Sequence, residues 1–241
     1  MKEFQRTWRA SIVLSSRRDA KTIQVMIRTE KDAVTFMKSV KLALRYGATP
    51  GLPLASIYAA AGDQRRAIEL TNALLARGEV IETNVIADRL VLAHRDVVPA
   101  LYALRTRFRA ARLSEDAECA FSLIAKNDGV SAGDVRRFLG VAGAKRPDRA
   151  DLALTELMRE MLIDRGPSSV PKKGIPYLSK EGYPYRAFAK AHPALIKAAK
   201  KLNVSEAIAI VCGAIGPVPP RKLASMLKLC LAKEEVAGSA S

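Results

Sequence analysis

Apolar residues recur along this chain at helical spacing, and two stretches carry the same pattern. Residues 130–141 can be laid over residues 218–229, and five apolar positions then coincide, the first of them just ahead of a serine or a proline. A cap or proline followed by an apolar stripe is typical of a short amphipathic helix. The repeat favours the second helix of a helix-turn-helix in both places. The alternative is a chance likeness between two short amphipathic helices.

The first part of the chain predicts three helices followed by a β-hairpin. Thr29 and Asp32 form a capping box at the start of the first helix, and Gly78 ends the third. The predicted elements are a helix from Thr29 to Leu44, a short helix over 54–61, a longer helix over 64–77, and strands over 80–83 and 89–92. Helix, helix, helix and hairpin is the order of a winged helix.

The second part repeats this plan after a connecting helix predicted over 97–111. Ser114 caps one helix, Ser131 caps the next with Asp134 at the reciprocal position, and Pro147 starts the third. A strand over 162–164 then leads into residues 167–185, where Pro, Gly and Lys occur at the density of a wing. We therefore expect a second module of the same kind.

These patterns predict an α+β fold that is mainly helical, with tandem winged-helix modules and short β-hairpins. The expected organisation is a basic N-terminal segment over 1–28, a first module with its connecting helix over 29–112, a second module over 113–191, and a C-terminal helical segment over 192–241 that holds an incomplete third module.

The charge balance makes DNA the first partner to consider. The 241 residues include 40 Lys and Arg against 24 Asp and Glu, a net charge of +16, and 49% are hydrophobic, which is enough for a folded core. Three cysteines lack the spacing of a disulfide framework or a zinc site, and no segment has the length of a membrane span. We expect a cytoplasmic, nucleoid-associated protein that binds double-stranded DNA and no membrane.

The expected DNA contacts follow from the position of the third helix, which leads into the major groove with its N-terminal residues. Basic side chains at the start of this helix, on the preceding helix and in the wing are the candidates. They are Lys145, Arg146 and Arg149, then Arg136 and Arg137, and then Lys172 and Lys173. Four carboxylates on the same third helix would repel phosphate: Asp148, Asp151, Glu156 and Glu160. A solvated basic loop is the alternative for the wing lysines.

Signals of catalysis are few. His94 and His192 lack neighbours at metal-ligand spacing, so a structural role is expected for both, and neither a cofactor nor a metal site is predicted. Glu79 and Glu82 flank a strand and could meet a substrate, although exposed glutamates near a turn are usually only solvated.

Three phrases of the sequence resemble the bacterial DNA glycosylase-like family of tandem winged-helix proteins. They are residues 27–34, residues 96–104, and residues 145–157 over the third helix of the second module. The resemblance runs from about Ile27 to Leu231 and implies the scaffold and a DNA-binding role. Active members of that family carry a Gln-x-Gln pair that positions the hydrolytic water, whereas residues 24–26 of this chain supply one glutamine only.

The sequence therefore predicts a DNA-binding protein of regulatory or repair type, and it favours binding over catalysis. One alternative is a DNA glycosylase that acts on alkylated or crosslinked bases through a different catalytic carboxylate. Another alternative is an interaction scaffold whose basic surface meets an acidic protein partner.

Overall fold

The computed structural model describes residues 26–108, 113–127, 129–167, 183–216 and 218–228. The helices of these residues are α1 (Glu30–Val40), α2 (Ile57–Ala61), α3 (Gln64–Ala76), α4 (Val98–Arg107), α5 (Glu115–Lys126), α6 (Ala132–Phe138), α7 (Arg149–Arg159), α8 (Phe188–Ala191), α9 (Pro193–Ala199), α10 (Val204–Ile215) and α11 (Pro220–Leu227). The strands are β1 (Leu42–Leu44), β2 (Ala55–Ser56), β3 (Val80–Ile86), β4 (Arg89–His94), β5 (Ile163–Arg165) and β6 (Tyr185–Ala187).

The strands form one small mixed sheet in the order β2-β1-β4-β3-β5-β6. Only β1 and β2 are parallel, and the other neighbours pair antiparallel. Because side chains alternate across a strand, the register places Glu82, Leu92, Arg165 and Tyr185 on one face. Helices cover both faces of this sheet, which is why every residue of β3 is buried.

Two parts of the chain build the same arrangement. Unit 1 (residues 30–94) runs α1, β1, β2, α2, α3, β3, β4, and β1 pairs antiparallel with β4. The short edge strand β2 has no counterpart among the described residues of unit 2. Unit 2 (residues 115–187) runs α5, α6, α7, β5, β6, and an isolated bridge at Val130, between α5 and α6, pairs antiparallel with Tyr185 of β6. Order and pairing therefore correspond, with Val130 in the place of β1.

The two units meet at equivalent strands. Glu82 of β3 lies opposite Arg165 of β5 in an antiparallel pair. Antiparallel pairing of two equivalent strands in one sheet relates the units by a local two-fold axis perpendicular to the sheet. The axis keeps the helices of both units on the same face, and β3 and β5 run in opposite directions across the sheet.

The other face of the sheet carries α4 and the C-terminal helices. Leu42, Ile81 and Val91 point to this face and share an apolar core with Leu101 of α4 and Val211 of α10. Leu223, Met226 and Leu227 of α11 belong to the same core. The C-terminal segment therefore packs against unit 1 and its connecting helix.

Several predicted elements are confirmed, with shifted bounds. The strands predicted over 80–83 and 89–92 lie within β3 and β4, and the capping boxes at Thr29 and Ser131 are both formed. The short helix predicted over 54–61 starts later, because residues 55–56 pair with β1 and Ser56 then caps α2. The α+β class is confirmed, whereas the tandem winged-helix organisation stays a prediction.

Part of the prediction falls outside the described residues. This holds for residues 1–25, for residues 168–182, which make up most of the predicted wing, and for the chain beyond residue 228. Among the residues that are described, no helix combines the length and apolar character needed to cross a membrane.

Candidate nucleic-acid interface

The start of α7 and the loop before it form an exposed basic surface. Lys145 and Arg146 are exposed in the connection from α6, and Asp148 caps α7 through the backbone N–H of Asp151. Arg149 is the first helical residue, and its side chain is 60% exposed. Three of the predicted site residues therefore lie together at one helix end, where the helix dipole also favours an anion.

Arg149 is held in place by the two other helices of unit 2. Its Nη2 donates to the backbone carbonyl of Leu139, at the end of α6, over 3.1 Å. Its Nε lies 3.4 Å from a carboxylate oxygen of Asp116 on α5. Asp116 offsets part of the positive charge of Arg149.

The carboxylates of α7, which would repel phosphate, have partners inside the protein. Arg136 donates from Nε to Asp148 over 2.8 Å and from Nη2 to Asp151 over 2.5 Å. Burial opposes ionisation of Asp148, but the hydrogen bonds from Asp151 and Arg136 hold the pKa of this carboxyl below its usual value. Glu156 accepts from the backbone and hydroxyl of Ser114, at 3.0 and 2.6 Å.

The fourth carboxylate of the predicted set lies in the protein core. Glu160 is buried beside Arg105, with 3.6 Å between charged atoms, and Arg159 donates to it over 3.2 Å. These contacts reduce the repulsion of phosphate expected from the acidic residues of α7. Glu160 is buried beside two arginines, and Asp148 and Asp151 share the positive charge of Arg136. Glu156 keeps its negative charge, because its donors are neutral.

The remaining predicted contacts divide into three cases. Arg136 is only 4% exposed and pairs with two carboxylates, so the prediction that it contacts DNA from the surface is wrong. It joins α6 to the start of α7 instead. Arg137 is exposed and pairs with Asp134 on the same helix. Lys172 and Lys173 lie outside the described residues.

The tip of the first hairpin, which the sequence predicted as a wing, is covered by other parts of the chain. The backbone N–H of Ala87 donates to the carbonyl of Met226 in α11 over 2.6 Å. Asp88 pairs with Lys228 and with Arg159, the latter over 3.6 Å. The turn residues of this hairpin therefore serve packing between α7, α11 and the sheet.

Glu82 is buried at the junction of the two units, so the expectation of an exposed, substrate-facing glutamate is wrong. It is 0% exposed, and its two oxygens accept from Arg45 at 2.9 Å and from Arg165 at 2.6 Å. Arg45 also donates to the hydroxyl of Tyr183 over 2.8 Å, and the Arg165 guanidinium lies 4.6 Å from the centre of that ring. Burial disfavours the charge of Arg165, but Glu82 raises its pKa and keeps it cationic.

Both histidines have structural partners. His94 is buried and its Nδ1 accepts from the backbone of Asp96 over 3.3 Å, and burial lowers its pKa. His192 lies 2.9 Å from the buried carboxylate of Asp164, which Arg186 also contacts at 2.6 Å.

Two exposed apolar side chains next to the basic surface were not predicted from the sequence. Phe138 at the end of α6 is 54% exposed, and Leu152 on α7 is 62% exposed. The repeat matched Phe138 to Met226, which is buried, so the two stretches differ at that position. The exposure of Leu152 could have been predicted from the sequence, because this residue lies outside the apolar stripe formed by Leu154, Leu157 and Met158.

Comparison with known protein families, with characterised proteins and with solved structures finds no match to this chain.

Proposed function

We propose that the chain is a duplex DNA-binding protein of regulatory or repair type, built from two winged-helix modules that correspond to units 1 and 2. The observation that carries the proposal is the exposed basic end of α7, whose acidic residues are paired internally. Lys145, Arg146 and Arg149 lie where a winged helix leads into the major groove. Positive side chains there gain affinity by releasing counterions from the phosphate backbone.

Unit 2 is the module that contacts DNA in this proposal. The tip of the β3–β4 hairpin in unit 1 contacts Met226, Lys228 and Arg159, so it is covered by the protein itself.

A glycosylase activity is less well supported than simple binding. Base excision needs a polar group that reaches the extruded base. Glu82, which the sequence offered as a catalytic carboxylate, has both oxygens bound by buried arginines. The resemblance to the glycosylase-like family accordingly supports the scaffold and the DNA contact in this proposal, and not the reaction.

Salt titration of duplex binding tests the proposal. Binding of a fluorescently labelled duplex is measured by anisotropy at a series of salt concentrations. We expect the logarithm of the association constant to fall linearly with the logarithm of salt, with a slope of about 0.9 for each phosphate contacted. Binding that stays constant from low to physiological salt would contradict the proposal.

A further inference from the structure

Three helices leave a cavity of about 260 Å³ between the end of α4, the end of α9 and the start of α10. Each helix contributes one alanine to the lining: Ala103, Ala199 and Ala207. Because these side chains are small, the space where the helices meet stays unfilled. An apolar cavity of about 150 Å³ takes a benzene molecule, so this one has room for a ring together with a polar substituent.

The cavity has an apolar interior and a polar rim. Its buried lining residues, Leu104, Ala199 and Ala207, are all aliphatic. The half-buried ring of Tyr102 stacks on Phe188 with 5.2 Å between ring centres, which fixes this part of the lining. The exposed lining residues are all polar: Thr106, Arg107, Lys200 and Asn203. An apolar interior with a few polar groups is the usual composition of a site for a small molecule.

Both charged side chains at the rim are positive. Arg107 and Lys200 form no side-chain hydrogen bond or ion pair with any other residue that the structure describes. Neither α4 nor α9 contains an acidic residue, and α10 contains one, Glu206, which does not line the cavity. Glu206 accepts from the backbone N–H of Asn203 over 2.9 Å as part of the capping box of α10. The two cations outnumber this carboxylate, and the positive end of the α10 dipole adds to them.

We propose that this cavity binds a small carboxylic acid with an apolar body, a ligand separate from the DNA of the proposed function. The apolar body occupies the interior beside the three alanines, and the carboxylate binds Arg107 and Lys200 at the rim. The phosphate backbone of DNA would supply the charge but no apolar group for the interior. A small organic acid fits both parts of the cavity.

Titration of the full chain with benzoate, followed by ¹H–¹⁵N correlation spectra, tests the proposal. We expect saturable shifts at the amides of lining residues such as Leu202, Val204 and Ala207, with a dissociation constant of about 1 mM for a ligand of this size. Benzamide has the same ring without the charge and should bind about tenfold more weakly, because it loses both exposed ion pairs. Acetate has the charge without the ring and should give no saturable shift.

Two pairs of variants separate the charge of the rim from the space of the interior. Lys200→Gln should weaken benzoate binding about threefold, whereas Lys197→Gln, at an exposed position of α9 outside the lining, should leave it unchanged. Ala103→Leu keeps both cations but fills the interior, so it should abolish binding without lowering the unfolding temperature. Ala198→Leu makes the same change at an exposed position outside the cavity and should bind benzoate as the wild type does.

Each opposite result overturns the proposal. Equal binding of benzoate and benzamide, or full binding by Lys200→Gln, would show that the cations do not hold a carboxylate. Full binding by Ala103→Leu would place benzoate outside the cavity. If a short duplex shifts these amides and benzoate does not, the rim contacts phosphate and no small acid binds there. None of these results depends on whether the α7 surface binds DNA, so failure of the proposed function leaves this inference to be decided separately.

Discussion

Glu82→Gln is expected to destabilise the fold strongly, because Glu82 is the carboxylate shared by two buried arginines at the junction of the units. Arg45 and Arg165 are both nearly inaccessible, and each binds one oxygen of Glu82. Glutamine keeps the volume but leaves both cations facing a neutral amide. Removing one partner of a buried ion pair costs about 3–5 kcal/mol. This is a large share of the roughly 5–15 kcal/mol that separates folded from unfolded states.

Urea unfolding followed by circular dichroism measures this loss as a lower midpoint at an unchanged slope. Glu69→Gln is the matched control, because Glu69 pairs with Arg65 at 3.3 Å on the solvent-exposed side of α3. An exposed pair of this spacing contributes about 0.3–0.5 kcal/mol. A loss for Glu82→Gln as small as that of the control would refute the structural role of the buried pair.

Three further predictions concern stability and catalysis. Burial lowers the pKa of His94 in the folded chain, so below about pH 6.5 this histidine is protonated more readily in the unfolded chain. The free energy of unfolding should therefore decrease as the pH falls below about 6.5. His94→Asn should flatten that dependence in urea titrations at several pH values. Ser131→Ala breaks the capping box with Asp134 and should cost about 1 kcal/mol in the same assay, whereas no measurable loss would contradict the cap. Alkylated duplex DNA should release no free base on incubation with the chain, and excision that is abolished by a change at Glu79 or Glu82 would instead support the glycosylase alternative.

The elements that depend on residues close together in the chain could be predicted from the sequence. The capping boxes at Thr29 and Ser131 and the hairpin from Val80 to His94 depend on residues close together in the chain, and the structure has them. The pairing of β3 with β5 was not predictable, because it joins residues 83 positions apart and reverses the expected exposure of Glu82. A charged residue in a strand is expected to be exposed to solvent unless its partners from distant parts of the chain are known.

The same distinction applies to the basic surface. The position of Lys145 and Arg146 ahead of α7 followed from Pro147, which predicted the start of this helix. The burial of Arg136 did not, because its partners Asp148 and Asp151 lie 12 and 15 positions further along the chain, and the sequence does not define the path of the connection between them. The same pairing offsets part of the predicted repulsion of phosphate by α7.

Charge reversal at two matched sites tests the DNA-binding proposal most directly. The first variant combines Lys145→Glu with Arg146→Glu, and the second combines Lys197→Glu on α9 with Lys200→Glu at the end of that helix, so both change the net charge equally. All four side chains are exposed. We expect the first variant to lose about tenfold or more in duplex affinity and about two units of salt slope, and the second to retain the wild-type slope. Equal losses from the two variants, or a greater loss from the second, would contradict the assignment of the α7 surface as the DNA contact.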